Sequence, residues 1–367
     1  DSSPLFGAGR VEDTFNLIGH AARDLLASVA ARLGLDLEEA ARRSGIPLLT
    51  GQSLKAQLDI DWDEPKQRKA ALSLLLEQVR SLMAFVDREL KAELEKPPLS
   101  ERWATLQQVM VQDIEPDPEG GGPRIKHGVA KERRISVKDG EMRHGRKSKS
   151  SRVDGYKRHL ALDVQTRIIV AAAVTPANRP EAEATADLLS DLERQRFRLR
   201  ELHIDRGYLA AKEVEQQRAR GVPIHCKAFP LHNGGRFTKA DFRLDFEQQS
   251  IQCPAGQRLP LVLGQTAHFS ASVCATCPLR AQCTTATAKG RSVHLHQQEP
   301  FFAELRRKQR TAEGRAQLRL RTPVEHGLAS ISRSQGRRAR YRGVRNNLFD
   351  LRRHCAVHNL HVAASAA

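Results

Sequence analysis

Three groups of residues in this 367-residue chain have types and spacings that could do chemistry. Asp205 ends the run ELHID and is followed at once by Arg206, Gly207 and Tyr208. An acid at the carboxyl end of a strand in an open α/β sheet sits where such sheets hold their ligands. Strand-end acids also cap helices or pair with arginines, so the neighbours of Asp205 must decide its role. Glu325 follows Pro323 at the start of a helical stretch, with Arg321 before it and the basic run GRRARYRGVRNN after it. Taken alone, Glu325 reads as an acid favoured by the positive end of a helix dipole. The third group is Cys253 with Cys274, Cys277 and Cys283, the last three spaced C-x₂-C-x₅-C. The C-x₂-C pair has the shape of a metal knuckle, and four thiolates suit tetrahedral Zn²⁺. Iron–sulfur ligation and a loop of reduced thiols are the alternatives. The surrounding stretch is polar and lacks a large apolar core of its own, which makes a metal staple physically sensible.

The bulk composition narrows the partners. Lys and Arg number 60 against 43 Asp and Glu, giving a net charge of +17 and a pI near 10.0. Such an excess favours a polyanion, most simply nucleic acid. No apolar run approaches a membrane span, and no signal peptide is visible. Six cysteines in a chain this long do not suggest a disulfide scaffold. Cys226 and Cys355 read as ordinary buried thiols, and His225, His358 and His361 as structural or surface groups. The length suffices for two or three domains. The chain opens on Asp1 rather than Met and so reads as a fragment.

The elements that must position these residues follow from periodicity. Phe15, Ile18, Ala22, Leu25, Leu26, Val29 and Leu33 recur at helical spacing, predicting a helix over Val11–Leu33 that Gly34 ends. A short helix over 38–43, a longer one from Arg68 to Leu94 and one from Ser100 to about Val111 complete an all-helical segment, residues 11–114. Residues 115–133 are a linker by composition. In the α/β segment 134–229, Ile135 and Val137 hint at a short strand. His144, Arg146, Lys147 and Lys149 then make a candidate phosphate-contacting loop. Tyr156, Arg158, Leu160 and Leu162 alternate as in a half-buried strand, and RIIVAAAV is apolar enough for a strand covered on both faces. A helix from Glu181, the strand ELHID, a helix over Leu209–Arg218 and a strand VPIHCKAF follow. Residues 230–300 form a Cys-rich insertion, and residues 301–367 turn helical and rich in arginine.

Taken in order, GYKRHLALD, VTPAN, HIDRGY and RTPVEHGLASISRSQGRRARYRGVRNN resemble the DDE transposases of bacterial insertion sequences. Each piece is weak, but together they cover roughly residues 134–361 and the combination is specific. The resemblance implies an RNase H-like mixed sheet flanked by helices, with an all-helical insertion and a small Cys-rich insertion. Such a cysteine-bearing insertion occurs in some members of that family. The resemblance also implies a catalytic Asp, Asp and Glu. The second maps onto Asp205 and the third onto Glu325. The first maps onto Asp1, which Ser2, Ser3 and Pro4 follow, so that residues 1–10 are the first-acid segment of the core, with the strand of that acid lying upstream. Asp139, in the Gly-flanked basic loop SVKDGEMRHG, is the rival first acid. The activity implied is metal-dependent phosphodiester cleavage at transposon ends and strand transfer into target DNA. Two Mg²⁺ (or Mn²⁺) ions about 4 Å apart would be held by the oxygens of Asp1, Asp205 and Glu325. Phosphates would meet Arg321, Arg333, Arg337, Arg338, Arg340, Arg342, Lys147 and Lys157, with Tyr341 stacking on an unpaired base. The implied partners are double-stranded DNA, as terminal repeats and target, and a second copy of the chain in the DNA complex. The implied location is the bacterial cytoplasm, at the nucleoid. A non-catalytic DNA-binding protein and a nuclease without strand transfer are the rival readings.

Overall fold

The first long amphipathic run folds as α1 (Thr14–Leu33). Asp13 caps it by accepting from the Asn16 N–H at 3.0 Å, and Gly34 ends it in the left-handed region at φ 66°. The structure, a computed structural model, describes all residues except 52, 129, 131, 148, 149 and 367, so Lys149 lies outside the described residues. Helices α2 (Leu37–Ser44), α3 (Leu54–Leu58), α4 (Pro65–Glu89) and α5 (Leu99–Asp113) follow. Their apolar stripes share one core, in which Leu17, Ile18, Leu25, Leu75, Leu76, Val79 and Leu106 are fully buried. Helix α4 starts earlier than its apolar stripe because Pro65, which has no N–H to satisfy, occupies the first turn. Pro98, not Ser100, precedes α5.

The chain divides into two units, residues 1–195 with 326–367, and residues 196–325. In the first unit, the first-acid segment itself forms a strand, β1 (Ser2–Phe6). Only Leu5 in it is buried, so its alternation is too short to show in the sequence. A hairpin of β2 (Ile114–Pro116) and β3 (Pro123–Ile125) follows the helical bundle. Then come β4 (Arg143–Arg146), β5 (Arg152–Leu162) and β6 (Ile169–Pro176), with β4 and β6 both pairing antiparallel with β5. Strand β1 also pairs antiparallel with β5, from Ser2 opposite His159 to Phe6 opposite Gly155. Gly155 is required there: its φ is 149°, and a Cβ would meet the Gly7 N at 2.2 Å and the Leu5 carbonyl oxygen at 2.5 Å. Ile135 and Val137 are buried but form no strand.

Strand β5 departs from simple alternation. Tyr156, Arg158 and Leu160 are buried, as period two predicts, but so is His159 between them. The centre of β5 is therefore covered on both faces. Arg158 is among the largest fully buried side chains. Its guanidinium donates to Ser3 Oγ at 2.9 Å, Ser332 Oγ at 2.8 Å, Gln335 Oε1 at 2.8 Å and the Gly336 carbonyl at 3.1 Å. Neutral acceptors satisfy a buried charge here, and burial pulls its pKa down to about 10. After the single turn Glu181–Ala184, α6 (Thr185–Arg194) packs on β6.

The second unit opens with two-residue parallel strands, β7 (Leu202–His203) and β8 (Ile224–His225), joined through α7 (Lys212–Ala219). The run ELHID thus gives less regular strand than its composition promised, although Leu202 N to Pro223 O and Ile204 N to His225 O lengthen the ladder. Next come the antiparallel sheet β9 (Arg243–Asp245), β10 (Ser250–Gln252) and β11 (Arg258–Pro260), then β12 (Thr266–His268), α8 (Ala271–Ala275), α9 (Arg280–Cys283) and β13 (Ser292–His294), with β12 pairing β13. This Cys-rich stretch does have an apolar core of its own: Phe242, Ile251, Leu261, Phe269, Val293 and Leu295 are buried together. Ile251 and Val293 lie in three-residue strands, and Phe242, Leu261, Phe269 and Leu295 each stand one residue outside such a strand, which leaves no visible run. Helices α10 (Glu299–Lys308) and α11 (Ala312–Arg319) complete the unit.

Helix α12 (Thr322–Gln335) carries Glu325 in its first turn, and α13 (Val344–Ala366) closes the chain. Asn359 of α13 clamps the start of β6, accepting from Ile169 N and donating to Ile169 O, both at 2.8 Å. No helix among the described residues is long and apolar enough to cross a membrane.

Candidate active site and metal-ligating clusters

Asp205 follows directly on the β7 ladder, with extended backbone at φ −83° and ψ 161°. It leads into the turn Arg206–Tyr208 yet makes no side-chain capping bond there, so its carboxylate is not consumed by the local helix end. Tyr208 and Leu209, just after it, are buried and anchor the turn. Cys226, at the end of β8, is buried behind it; burial first, then the charge of Asp205, pushes its thiol up to about 12. That cysteine is an inert packing group at neutral pH.

Asp205 and Glu325 line one cavity of about 390 Å³ within the second unit. His203, His225, Lys227, Arg315, Arg319 and Arg321 line it as well. Four cationic side chains around two acids give the cavity the sign a phosphate requires. Glu325 is half exposed and accepts from Arg321 Nη2 at 2.6 Å, one turn back. An exposed pair of this kind contributes little to stability, so exchange of Arg321 for another cation costs little. Arg321, expected to meet phosphates, is engaged with the acid in this state.

The remaining candidates fall in the first unit. Asp1 precedes β1; its carboxylate accepts from the Ser2 N–H at 2.7 Å, and its backbone continues the pairing with β5 through Leu160 N to Asp1 O at 2.9 Å. The strand beside Asp1 in the structure runs after it, over Ser2–Phe6. Asp139 is 1% exposed and accepts from the Tyr156 hydroxyl at 2.5 Å and from Gly343 N at 3.3 Å. Burial and the Asp139 charge hold the Tyr156 phenol well above its usual range. Asp139 is thus tied into the packing around β5. The 336–343 loop is fixed at both ends: Phe6 N donates to Arg337 O at 2.9 Å, Ala339 N to Phe6 O at 2.7 Å, and Asn347 Nδ2 to Tyr341 O at 2.9 Å. Arg333, Arg337, Arg338, Arg340, Tyr341 and Arg342 are exposed on it or beside it, and among the described residues none of these guanidiniums pairs with a carboxylate. Lys147 is exposed in the turn after β4, whereas Lys157 donates to the Arg179 carbonyl at 2.9 Å and is half-buried.

Cys253, Cys274, Cys277 and Cys283 all line a second cavity, of about 20 Å³, beside Phe237, Phe269 and Arg291. Burial raises the Cys283 thiol; Arg291 opposes this, and the neighbouring cysteines add to it. The donor set fits a tetrahedral thiolate site by type, but the sulfurs are gathered without being closed. Among the described residues, the group of three or more potential ligands with donor atoms within 4.8 Å of one another is Glu201, His203 and His225. Sequence reasoning took His225 as a structural or surface group and passed over Glu201 and His203. The only signals of the group are Glu201, just before β7, two residues from His203 within it, and His225 on β8, which become neighbours only through the β7–β8 register.

Comparison with curated proteins and with solved structures gives no match. A family model does match: that of the transposase DDE domain, over residues 252–364, a stretch that includes the four clustered cysteines, Glu325 and the arginine-rich loop. By that match residues 252–364 are similar to the transposase DDE domain.

Proposed function

We propose that the chain is a nuclease and strand transferase acting on DNA ends, with Asp1, Asp205 and Glu325 as its catalytic acids on an RNase H-like core. The observation that carries the reading is the convergence of Asp205 and Glu325, distant in sequence, on one cation-lined cavity. Divalent cations of the Mg²⁺ class, when bound, supply an activated water or 3′-hydroxyl and neutralise the leaving oxygen. The residues fit such ions by chemistry: carboxylate oxygens, with room in a cavity of about 390 Å³ for retained water. Asp205 is held by the β7 ladder and its buried turn, so its oxygens are pre-positioned. Glu325, exposed and paired with the neighbouring Arg321 through its Oε1, would be the acid to hold such an ion from the helix side, with Arg321 the cation nearest it. Lys227, Arg315 and Arg319 hold the scissile strand by its phosphates, and the arginines of the 336–343 loop hold flanking duplex. The sulfur cavity takes Zn²⁺ as a staple for the Cys-rich stretch. The active form is a homodimer on paired ends, as bringing two ends together requires.

The test is cleavage and joining of terminal-repeat DNA by the full protein with Mg²⁺, beside its Asp205→Asn variant. Cleavage and transfer by the parent, both falling by at least roughly 10²-fold in the variant with DNA binding retained, are expected. Undiminished nicking by the variant refutes the assignment. Hydrolysis without transfer of pre-cut ends leaves a nuclease, and binding without cleavage by the parent leaves a DNA-binding protein.

A further inference from the structure

We infer that Glu201, His203 and His225 form a binding site for a divalent transition cation of the zinc class, separate in donor chemistry from the acids of the cavity. Strands β7 and β8 run parallel, and their register sets His203 opposite His225. Both imidazoles therefore leave the same face one strand spacing apart, and their rings stack with centroids 4.5 Å apart and planes 13° apart. Glu201 precedes His203 by one strand period and reaches both rings. Its Oε1 lies 3.1 Å from His203 Nε2, and its Oε2 lies 3.3 Å from His225 Nε2. The donor atoms of all three lie within 4.8 Å of one another.

An ordinary ion pair does not account for this arrangement. The His203 side chain is 5% exposed, and neither of its ring nitrogens makes a hydrogen bond. The Glu201 oxygen is close enough to His203 Nε2 but too poorly aligned to serve. A buried imidazole nitrogen normally has a partner, and here the group facing it is a second imidazole and a carboxylate, the donor set that zinc, cobalt and nickel favour over magnesium. Bonds of about 2.0–2.1 Å to each donor require the three atoms to draw in modestly, which rotation of the two rings out of their parallel stack achieves. Glu201 is 41% exposed, so the outer side of the site is open to water as a remaining ligand. A cation there would lock β7 to β8 immediately before Asp205, making these three residues positioning groups for that acid.

The test uses the full chain, freed of metal and titrated with Co²⁺, and reads X-ray absorption at the cobalt edge together with bound equivalents. The expected result is cobalt bound by nitrogen and oxygen with the multiple-scattering pattern of imidazole. The double variant His203→Gln, His225→Gln should lose one bound equivalent while circular dichroism stays unchanged, and Glu201→Gln should bind at least roughly 10-fold more weakly. Cobalt in the unmutated protein with no imidazole pattern overturns the inference, whatever the folding of the variants. An unchanged equivalent count in a folded double variant overturns it equally. The site stands or falls independently of DNA cleavage, since its readouts are bound cobalt and the cobalt's ligands, not the activity of Asp205.

Discussion

His159 offers a quantitative check on the packing of the first unit. It sits at the centre of β5 between β1 and β6, 0% exposed, with Nε2 2.9 Å from the Thr175 hydroxyl. Burial, with the charge of Lys157 adding to it, drives its pKa down to about 3. The free imidazole titrates near 6.5. Between these values the unfolded chain binds a proton that the folded chain refuses. The contribution is therefore complete above about pH 6.5 and is lost as pH falls toward 3. At pH 4.5, about two pH units below the free value, the loss is about 3 kcal/mol, at about 1.4 kcal/mol per pH unit. His159→Gln keeps a polar group near Thr175 but cannot titrate. Urea unfolding of parent and variant at pH 7 and pH 4.5 isolates the ring, because every carboxylate titrates in both proteins. The stability gap between them should move by about 3 kcal/mol in favour of the variant on acidification. Parallel pH dependence in the two proteins would refute the buried neutral imidazole.

Further outcomes follow from other groups. Arg158→Met strands Ser3, Ser332 and Gln335 acceptors inside the first unit, so urea unfolding should show a loss of roughly 3 kcal/mol or more; a loss under about 1 kcal/mol would mean the network is slack. Arg342→Ala removes an exposed guanidinium without a carboxylate partner, so anisotropy titrations in rising KCl should show weaker binding on all duplexes and a salt slope smaller by about 1; loss confined to one sequence would point to base reading instead. Protein prepared without chelators should carry zinc that Cys274→Ser releases with a lowered melting temperature; zinc-free protein whose melting is indifferent to Cys253→Ser rules out the staple.

What the sequence disclosed, and what it hid, divides along one physical line: whether a signal is local. Helix α1 was legible because its apolar residues recur at one spacing for five turns and Gly34 marks its end. Asp205 was legible because an acid followed by Arg-Gly-Tyr closes an apolar run. The cysteines were legible as a set because thiols carry chemistry wherever they stand. By contrast, β1 hid in five residues with a single buried side chain. The core of the Cys-rich stretch hid because its six buried apolar residues are scattered singly in and beside three-residue strands. Arg158 read as the odd member of an apolar stripe; only the folded chain brings Ser332 and Gln335 of α12 to satisfy it. His203 and His225 are the sharpest case. Each alone looks like a strand histidine, and nothing nearby in sequence distinguishes it from a packing residue. Their chemistry exists only in the parallel register that sets one ring against the other, with Glu201 one strand period away from the first. Register is a long-range property, set here by the packing of a two-residue ladder. The residues most exposed to error in reading a sequence are therefore those brought together by pairing, and in the second unit one of these, His203, stands two residues before Asp205.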